Sequence, residues 1–189
     1  MTSWQRWFED KLRILAEADH VIDIGGGRVT KRHLFRSYQV VDVNAAYKPD
    51  ILADIQELPM ADGSVGAALC LEVLEHVEDP FKAVAELHRV LKPGAMLLVS
   101  VPFIWPYHAA PGLYQDFWRF TPDGLRRLFK GFRDVEIVKK GGYVSAMAEF
   151  VPSFLGIYPL LRPVAAWLDD HVPFFMRRTS PGHLIFMRK

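Results

Sequence analysis

Apolar and polar residues fall into blocks whose spacing changes along the chain. Trp4, Trp7, Phe8, Leu12 and Leu15 recur at the intervals of one helical face, which predicts a helix over residues 2–18 with Thr2 or Ser3 as its cap. The run Val21-Ile22-Asp23-Ile24 stops at Gly25-Gly26-Gly27 and predicts a strand, a glycine turn and a helix through the polar segment ending near Arg36. Gln39 to Val43, Ile51 to Asp54 and Ala67 to Leu71 read as three more strands. Asp79-Pro80 supplies a cap and a first-turn proline for a helix carrying Phe81, Val84, Ala85, Leu87, His88 and Leu91, and Lys92-Pro93-Gly94 stops it. Met96 to Val101 is continuously apolar, as in a strand covered on both faces. This alternation predicts an α/β sheet with right-handed crossovers.

Beyond Pro102 the rhythm loosens. Residues 103–120 are aromatic and loop-like, Thr121-Pro122 opens a helix with Leu125, Leu128 and Phe129, and Val135–Val138 and His183–Met187 read as the last strands. Residues 143–176 contain 22 apolar or aromatic residues and only 4 charged ones. Their longest uncharged stretch, Phe150 to Leu161, is interrupted by Pro152 and Pro159, too short and too broken to span a membrane. Four readings of this segment stand: helices packed on the core, a lid over an apolar substrate, a dimer surface, or a membrane-surface patch aided by Arg177 and Arg178.

A length of 189 residues gives room for one core, so the chain is read as one domain: a helix over 1–19, a regular half over 20–102, and an irregular half over 103–189 with an insertion at 143–181. The net charge of +1 argues against a polybasic nucleic-acid binder, yet it conceals a division. Residues 1–100 hold 11 Lys and Arg against 15 Asp and Glu, and residues 101–189 hold 12 against 7, so the halves carry −4 and +5. The single Cys70 forms no internal disulfide and reads as a core residue, and the first residues lack a signal-peptide pattern. A reducing, cytoplasmic setting is the expectation. The histidines show no metal-ligand spacing, so no metal is expected.

In an open α/β sheet the ligand lies beyond the carboxyl ends of the strands. Gly25, Gly26 and Gly27 permit close backbone approach there, and Asp42, 19 residues after Asp23, is placed to accept from a ribose diol. A nicotinamide-dependent oxidoreductase is the alternative, but its glycine pattern fails at Thr30. Val-Ile-Asp-Ile-Gly-Gly-Gly (21–27), Val-Val-Asp-Val (40–43), Ala-Asp-Ile-Gln-Glu-Leu-Pro (53–59), Leu-Cys-Leu-Glu-Val-Leu-Glu-His-Val (69–77) and Leu-His-Arg-Val-Leu-Lys-Pro-Gly (87–94) follow one another in order. In these segments the chain resembles the class I S-adenosylmethionine-dependent methyltransferases, and within them the subgroup that includes the quinone-biosynthesis enzymes.

That resemblance implies a Rossmann-like open, mostly parallel sheet of about seven strands, helices on both faces and an antiparallel last strand. It also implies that S-adenosylmethionine is the cofactor and S-adenosylhomocysteine the product. Asp23, Gly25, Gly26 and Gly27 would cradle the methionine portion and the Leu71 carbonyl would face its ammonium. Asp42 would hold the ribose, Asp54 and the Ile55 N–H the adenine edge, and Val43 and Ile55 its faces. Val29 and Gly66 depart from the family pattern. A scaffold that binds cofactor without turnover is a further alternative.

The loop 101–122 resembles a His, Asp-x-Trp-Arg-Phe-Thr pattern of bacterial members. His108 is the candidate base or hydrogen-bond partner, oriented by Asp116. Tyr107, Tyr114, Trp118 and Arg119 are candidates for the acceptor pocket, although Trp118, Arg119 and Phe120 equally serve as loop anchors. His76 reads either as a catalytic group or as part of a stabilising turn, and Glu72 as a cofactor contact or a solvated strand-end acid. The expected acceptor is a small molecule or a lipid- or glycan-linked group, and no nucleic acid is expected.

Overall fold

The structure is a computed structural model that describes residues 2–27, 31–150, 158–169 and 179–189. Seven strands form one sheet: β1 (Val21–Ile24), β2 (Tyr38–Asp42), β3 (Ile51–Leu52), β4 (Val65–Leu71), β5 (Leu91–Pro102), β6 (Arg133–Lys139) and β7 (Gly182–Arg188). Their order is β3-β2-β1-β4-β5-β7-β6. The pairs from β3 to β5 are parallel, and β7 runs antiparallel to both β5 and β6, so the final strand reverses as expected.

Alternation along each strand divides the core in two. On one face, α1 (Ser3–Leu15) lays Trp7, Phe8, Leu12 and Leu15 over Val21, Val40, Leu69 and Leu98. Thr2 caps it reciprocally with Gln5. On the other face, α2 (Pro80–Val90) and α3 (Pro122–Leu128) bury Val84, Leu87, Leu125 and Leu128 against Ile22, Ala68, Leu97 and Ile185. Asp79 accepts from the N–H groups of Phe81 and Lys82 at the start of α2, both at 3.0 Å. Cys70 is fully buried in this second cluster.

Three expectations need correction. No α-helix is found between β1 and β2 among the described residues: only a 3-10 turn at Arg32–Leu34 follows, without an apolar face to bury, and Arg32 there reaches Asp50 at 2.6 Å. The third strand ends at Leu52, because Asp54 instead starts a turn by accepting from the N–H of Gln56 at 2.8 Å. The fourth strand starts two residues early, at Val65, through a register shift at Gly66. Val29, Thr30, Arg177 and Arg178 lie outside the described residues.

In the segment 143–176, α4 (Tyr143–Ala148) and α5 (Tyr158–Asp169) pack on each other. Asp169 joins them by accepting from the N–H groups of Gly142 at 2.8 Å and Val144 at 2.7 Å. Among the described residues no helix is long and apolar enough to cross a membrane.

Candidate functional site

Strand order reverses between β1 and β4, and at their carboxyl ends lies a cavity of about 740 Å³. One wall is built from the first half of the chain: Gly25, Asp42, Val43, Asp54 and Ile55. Gly25 has φ +67°, and a Cβ added to it would stand 2.5 Å from Val73 Cγ2, so the turn closes against the strand end only because the side chain is missing. Asp42 is nearly buried and its Oδ1 accepts from the Asn44 N–H at 2.8 Å. Val43, apolar and 67% exposed, presents its side chain to the cavity.

The other wall comes from the segment after β4 and from the loop after β5: His76, Trp105, His108, Tyr114 and Phe117. Two distant sequence segments are laced together here. The N–H groups of Phe117 and Trp118 donate to the Glu75 carbonyl at 2.7 and 3.2 Å, and the Trp118 indole N–H donates to the Val77 carbonyl at 2.8 Å. Nδ1 of His76 lies 2.5 Å from the Gln115 carbonyl. His76 is therefore both a piece of a stabilising turn and a cavity residue.

His108 and Asp116 are brought together. Asp116 Oδ2 accepts from the His108 backbone N–H at 2.9 Å and lies 3.2 Å from its Nδ1, and the Pro106 carbonyl is 3.1 Å from the same nitrogen. Two acceptors and one donor, Arg119 Nη2 at 3.4 Å, thus surround Nδ1 and fix the orientation of the ring. Arg119 holds the Asp116 carboxyl at about pH 2, well below the usual range, by donating to both its oxygens.

Other expected site residues stand back from the cavity. Asp23 is buried beneath the glycine turn, where it accepts from the Tyr38 hydroxyl and lies 3.8 Å from Lys31 Nζ. Burial raises its carboxyl. Gly26, Gly27 and Leu71 flank the cavity without lining it. Trp118 and Arg119 turn to anchoring: Arg119 donates to the carbonyls of Trp105 and Pro106 as well as to Asp116, and neither residue lines the cavity. Tyr107 is 78% exposed and points elsewhere, whereas Tyr114 lines the cavity and packs on the His76 ring, with centroids 4.4 Å apart. Glu72 lines the cavity and pairs with Lys140 at 3.0 Å.

Glu75 escaped the sequence analysis. Its side chain is fully buried, yet neither carboxylate oxygen has a hydrogen-bond partner. Burial, then the nearby Glu72, pushes it up to about 8. Its Oε1 lies 3.7 Å from His76 Nε2 and 4.0 Å from His108 Nε2. Burial lowers His76.

Residues 22–99 match the methyltransferase domain family. The chain is 34% identical over 85 residues to a probable S-adenosylmethionine-dependent methyltransferase of Mycolicibacterium smegmatis, covering 45% of this chain and 30% of that protein. A 37.1 kDa protein in transposon TN4556 of Streptomyces fradiae is 49% identical over 51 residues, 27% of this chain and 15% of its own length. The chain thus spans less than a third of the length of these two relatives. The crystal structure of a SAM-dependent methyltransferase from Archaeoglobus fulgidus superposes with a TM-score of 0.65 at 16% identity, covering 98% of this chain and 94% of that one, a likeness of fold. Over residues 22–99 the chain is therefore similar to the methyltransferase domain family, and its fold is like that of S-adenosylmethionine-dependent methyltransferases of known structure.

Proposed function

We propose that the chain transfers a methyl group from S-adenosylmethionine to a small-molecule or a lipid- or glycan-linked acceptor. The observation that carries this reading is one cavity with two unlike walls, strand-end carboxylates on one side and a histidine-bearing loop on the other. The first wall fits the cofactor. Asp42 accepts from the ribose hydroxyls, Asp54 accepts from the adenine amino group, and the Ile55 N–H donates to a ring nitrogen. Val43 and Ile55 cover the faces of the ring. The turn at Gly25 to Gly27 and the Leu71 carbonyl border the methionine portion, with Asp23 and Tyr38 bracing the turn from below.

When bound, the cofactor supplies an electrophilic methyl group whose leaving group is already neutral. The chain's own work is positioning and the exclusion of water. His108, its ring set by Asp116 and Pro106, is the residue that meets the acceptor's nucleophile, while Tyr114, Trp105 and Phe117 shape the space around it.

Calorimetric titration with S-adenosylhomocysteine tests the reading. Saturable binding weakened at least about tenfold by Asp42→Ala is expected, since a charged hydrogen bond contributes roughly 1.5–3 kcal/mol. No saturable binding, or no effect of that substitution, overturns it.

A further inference from the structure

Beside the acceptor side of the cavity, a carboxyl oxygen of Glu75 and one ring nitrogen each of His76 and His108 come together. Nδ1 of His76 is committed to the Gln115 carbonyl, and Nδ1 of His108 is engaged by Asp116, Pro106 and Arg119, so each imidazole turns its Nε2 to the cluster. Both Nε2 atoms lie toward Glu75, whose two oxygens are buried and unpartnered. A buried carboxyl whose oxygens find no partner, beside two imidazole nitrogens, is stabilised in its charged form when a cation sits among them. We infer that Glu75, His76 and His108 form a site for one divalent transition-metal ion.

The geometry suits an ion. The three ligand atoms lie within 4.8 Å of one another, and ligands of one ion at about 2.1 Å stand roughly 3.0–3.4 Å apart, so displacements of about 1 Å close the shell. Each imidazole has the outer partner that metal-bound histidines use: its second nitrogen lies at hydrogen-bond distance of a carbonyl or carboxylate, which sets the ring orientation. Two imidazoles and one carboxylate favour first-row ions such as Zn2+, Fe2+ or Co2+ over Mg2+ and leave coordination positions open toward the cavity. Among the described residues the guanidinium beside the cluster, that of Arg119, is paired with Asp116 through both oxygens. Glu72 adds a carboxylate on the same cavity wall.

The inference deepens the proposed function, because an acceptor oxygen bound at an open position has its pKa lowered by the ion. His108 then meets the nucleophile through the metal. Acceptors with a hydroxyl that coordinates a metal are the class this selects.

The test is titration of Co2+ into the full chain after treatment with a chelator, followed by visible absorption and calorimetry, with S-adenosylhomocysteine titrated into the same preparation. One equivalent of Co2+ developing a ligand-field spectrum is expected. Glu75→Gln and His108→Ala should each weaken Co2+ binding by at least about tenfold while S-adenosylhomocysteine still binds. His108 lies on a loop, so its replacement keeps the test valid where a change at the buried Glu75 disturbs folding. Co2+ binding that is absent, or equal in wild type and both variants, overturns the metal site. Failure of S-adenosylhomocysteine to bind overturns the proposed function instead, since the metal ligands do not require the cofactor.

Discussion

Oδ2 of Asp116 serves His108 twice: it accepts from the backbone N–H at 2.9 Å and lies 3.2 Å from Nδ1, while the Arg119 guanidinium grips both oxygens of the same carboxylate at 2.5 and 2.7 Å. The Asp116 side chain is completely buried while that of Arg119 keeps about a quarter of its surface exposed, so the pair is partly desolvated. Asp116→Ala leaves the guanidinium without its counter-charge beneath the loop. The expected cost is about 3 kcal/mol in urea-unfolding free energy. Affinity for S-adenosylhomocysteine should stay within about threefold, because Asp42 and Asp54 stand on other elements; a larger loss would tie the loop to the cofactor wall.

The first half of the chain was legible because its strands are short apolar runs ending in an acid or a glycine, and a parallel sheet places every such end on one side. Asp42 could therefore be placed at the cavity from its strand end, while Val43, Asp54 and Ile55 were placed there by the family resemblance. The acceptor wall was less accessible to such reasoning. His108 meets Glu75 and His76 only because the loop after β5 folds back onto the turn after β4, and no periodicity encodes that return. Trp118 and Arg119 offered two roles in sequence, and only the hydrogen bonds to Val77, Trp105 and Pro106 show them anchoring. Among the described residues the helix expected after the glycine turn is missing for a different reason: Lys31 to Leu34 carries no apolar stripe for the sheet to bury.

His183 makes the fold sensitive to acid. It sits fully buried on β7, stacked on Phe103 with centroids 5.4 Å apart, and neither ring nitrogen has a hydrogen-bond partner. Burial, then Lys139, pushes its folded value down to about 4, below the ordinary 6.5 of the unfolded chain. A depressed imidazole adds stability above the unfolded value and loses it as pH falls from about 6.5 toward 4. Unfolding free energy should drop by about 2 kcal/mol between pH 7 and pH 5 from this group. His183→Phe should remove that share of the slope; an unchanged pH dependence would show that the ring is not what titrates.

Gly66 illustrates a family departure with a structural cause. A Cβ there would stand 2.2 Å from Asp19 Oδ1 and 2.9 Å from the His20 carbonyl, which accepts from the Ala67 N–H. The side-chain contact is relieved by turning Asp19, but the backbone contact is not. Gly66→Asp, which also sets a second carboxylate beside Asp19, is expected to lower stability by about 2–3 kcal/mol, read as a drop in thermal midpoint. Gly66→Ala should cost less, and Asp19→Ala combined with Gly66→Asp should recover part of the loss.

Gly25 and Val73 form the contact on which the cofactor wall depends. The glycine turn reaches its position by occupying φ +67° and by leaving empty the volume that Val73 Cγ2 fills, 2.5 Å from where a Cβ would lie. Gly25→Ala therefore meets two separate penalties, a backbone strain of about 1 kcal/mol and a steric clash that pushes the turn toward the cavity. S-adenosylhomocysteine affinity is expected to fall at least about thirtyfold, with far-ultraviolet circular dichroism unchanged because the core clusters on either face of the sheet do not include Gly25. Combining Gly25→Ala with Val73→Ala removes the methyl that causes the clash while leaving the strain, so it should recover about tenfold and stop short of wild type. If the double variant binds no better than Gly25→Ala, the loss comes from backbone conformation alone, and the packing of Val73 on the turn has no part in shaping the wall.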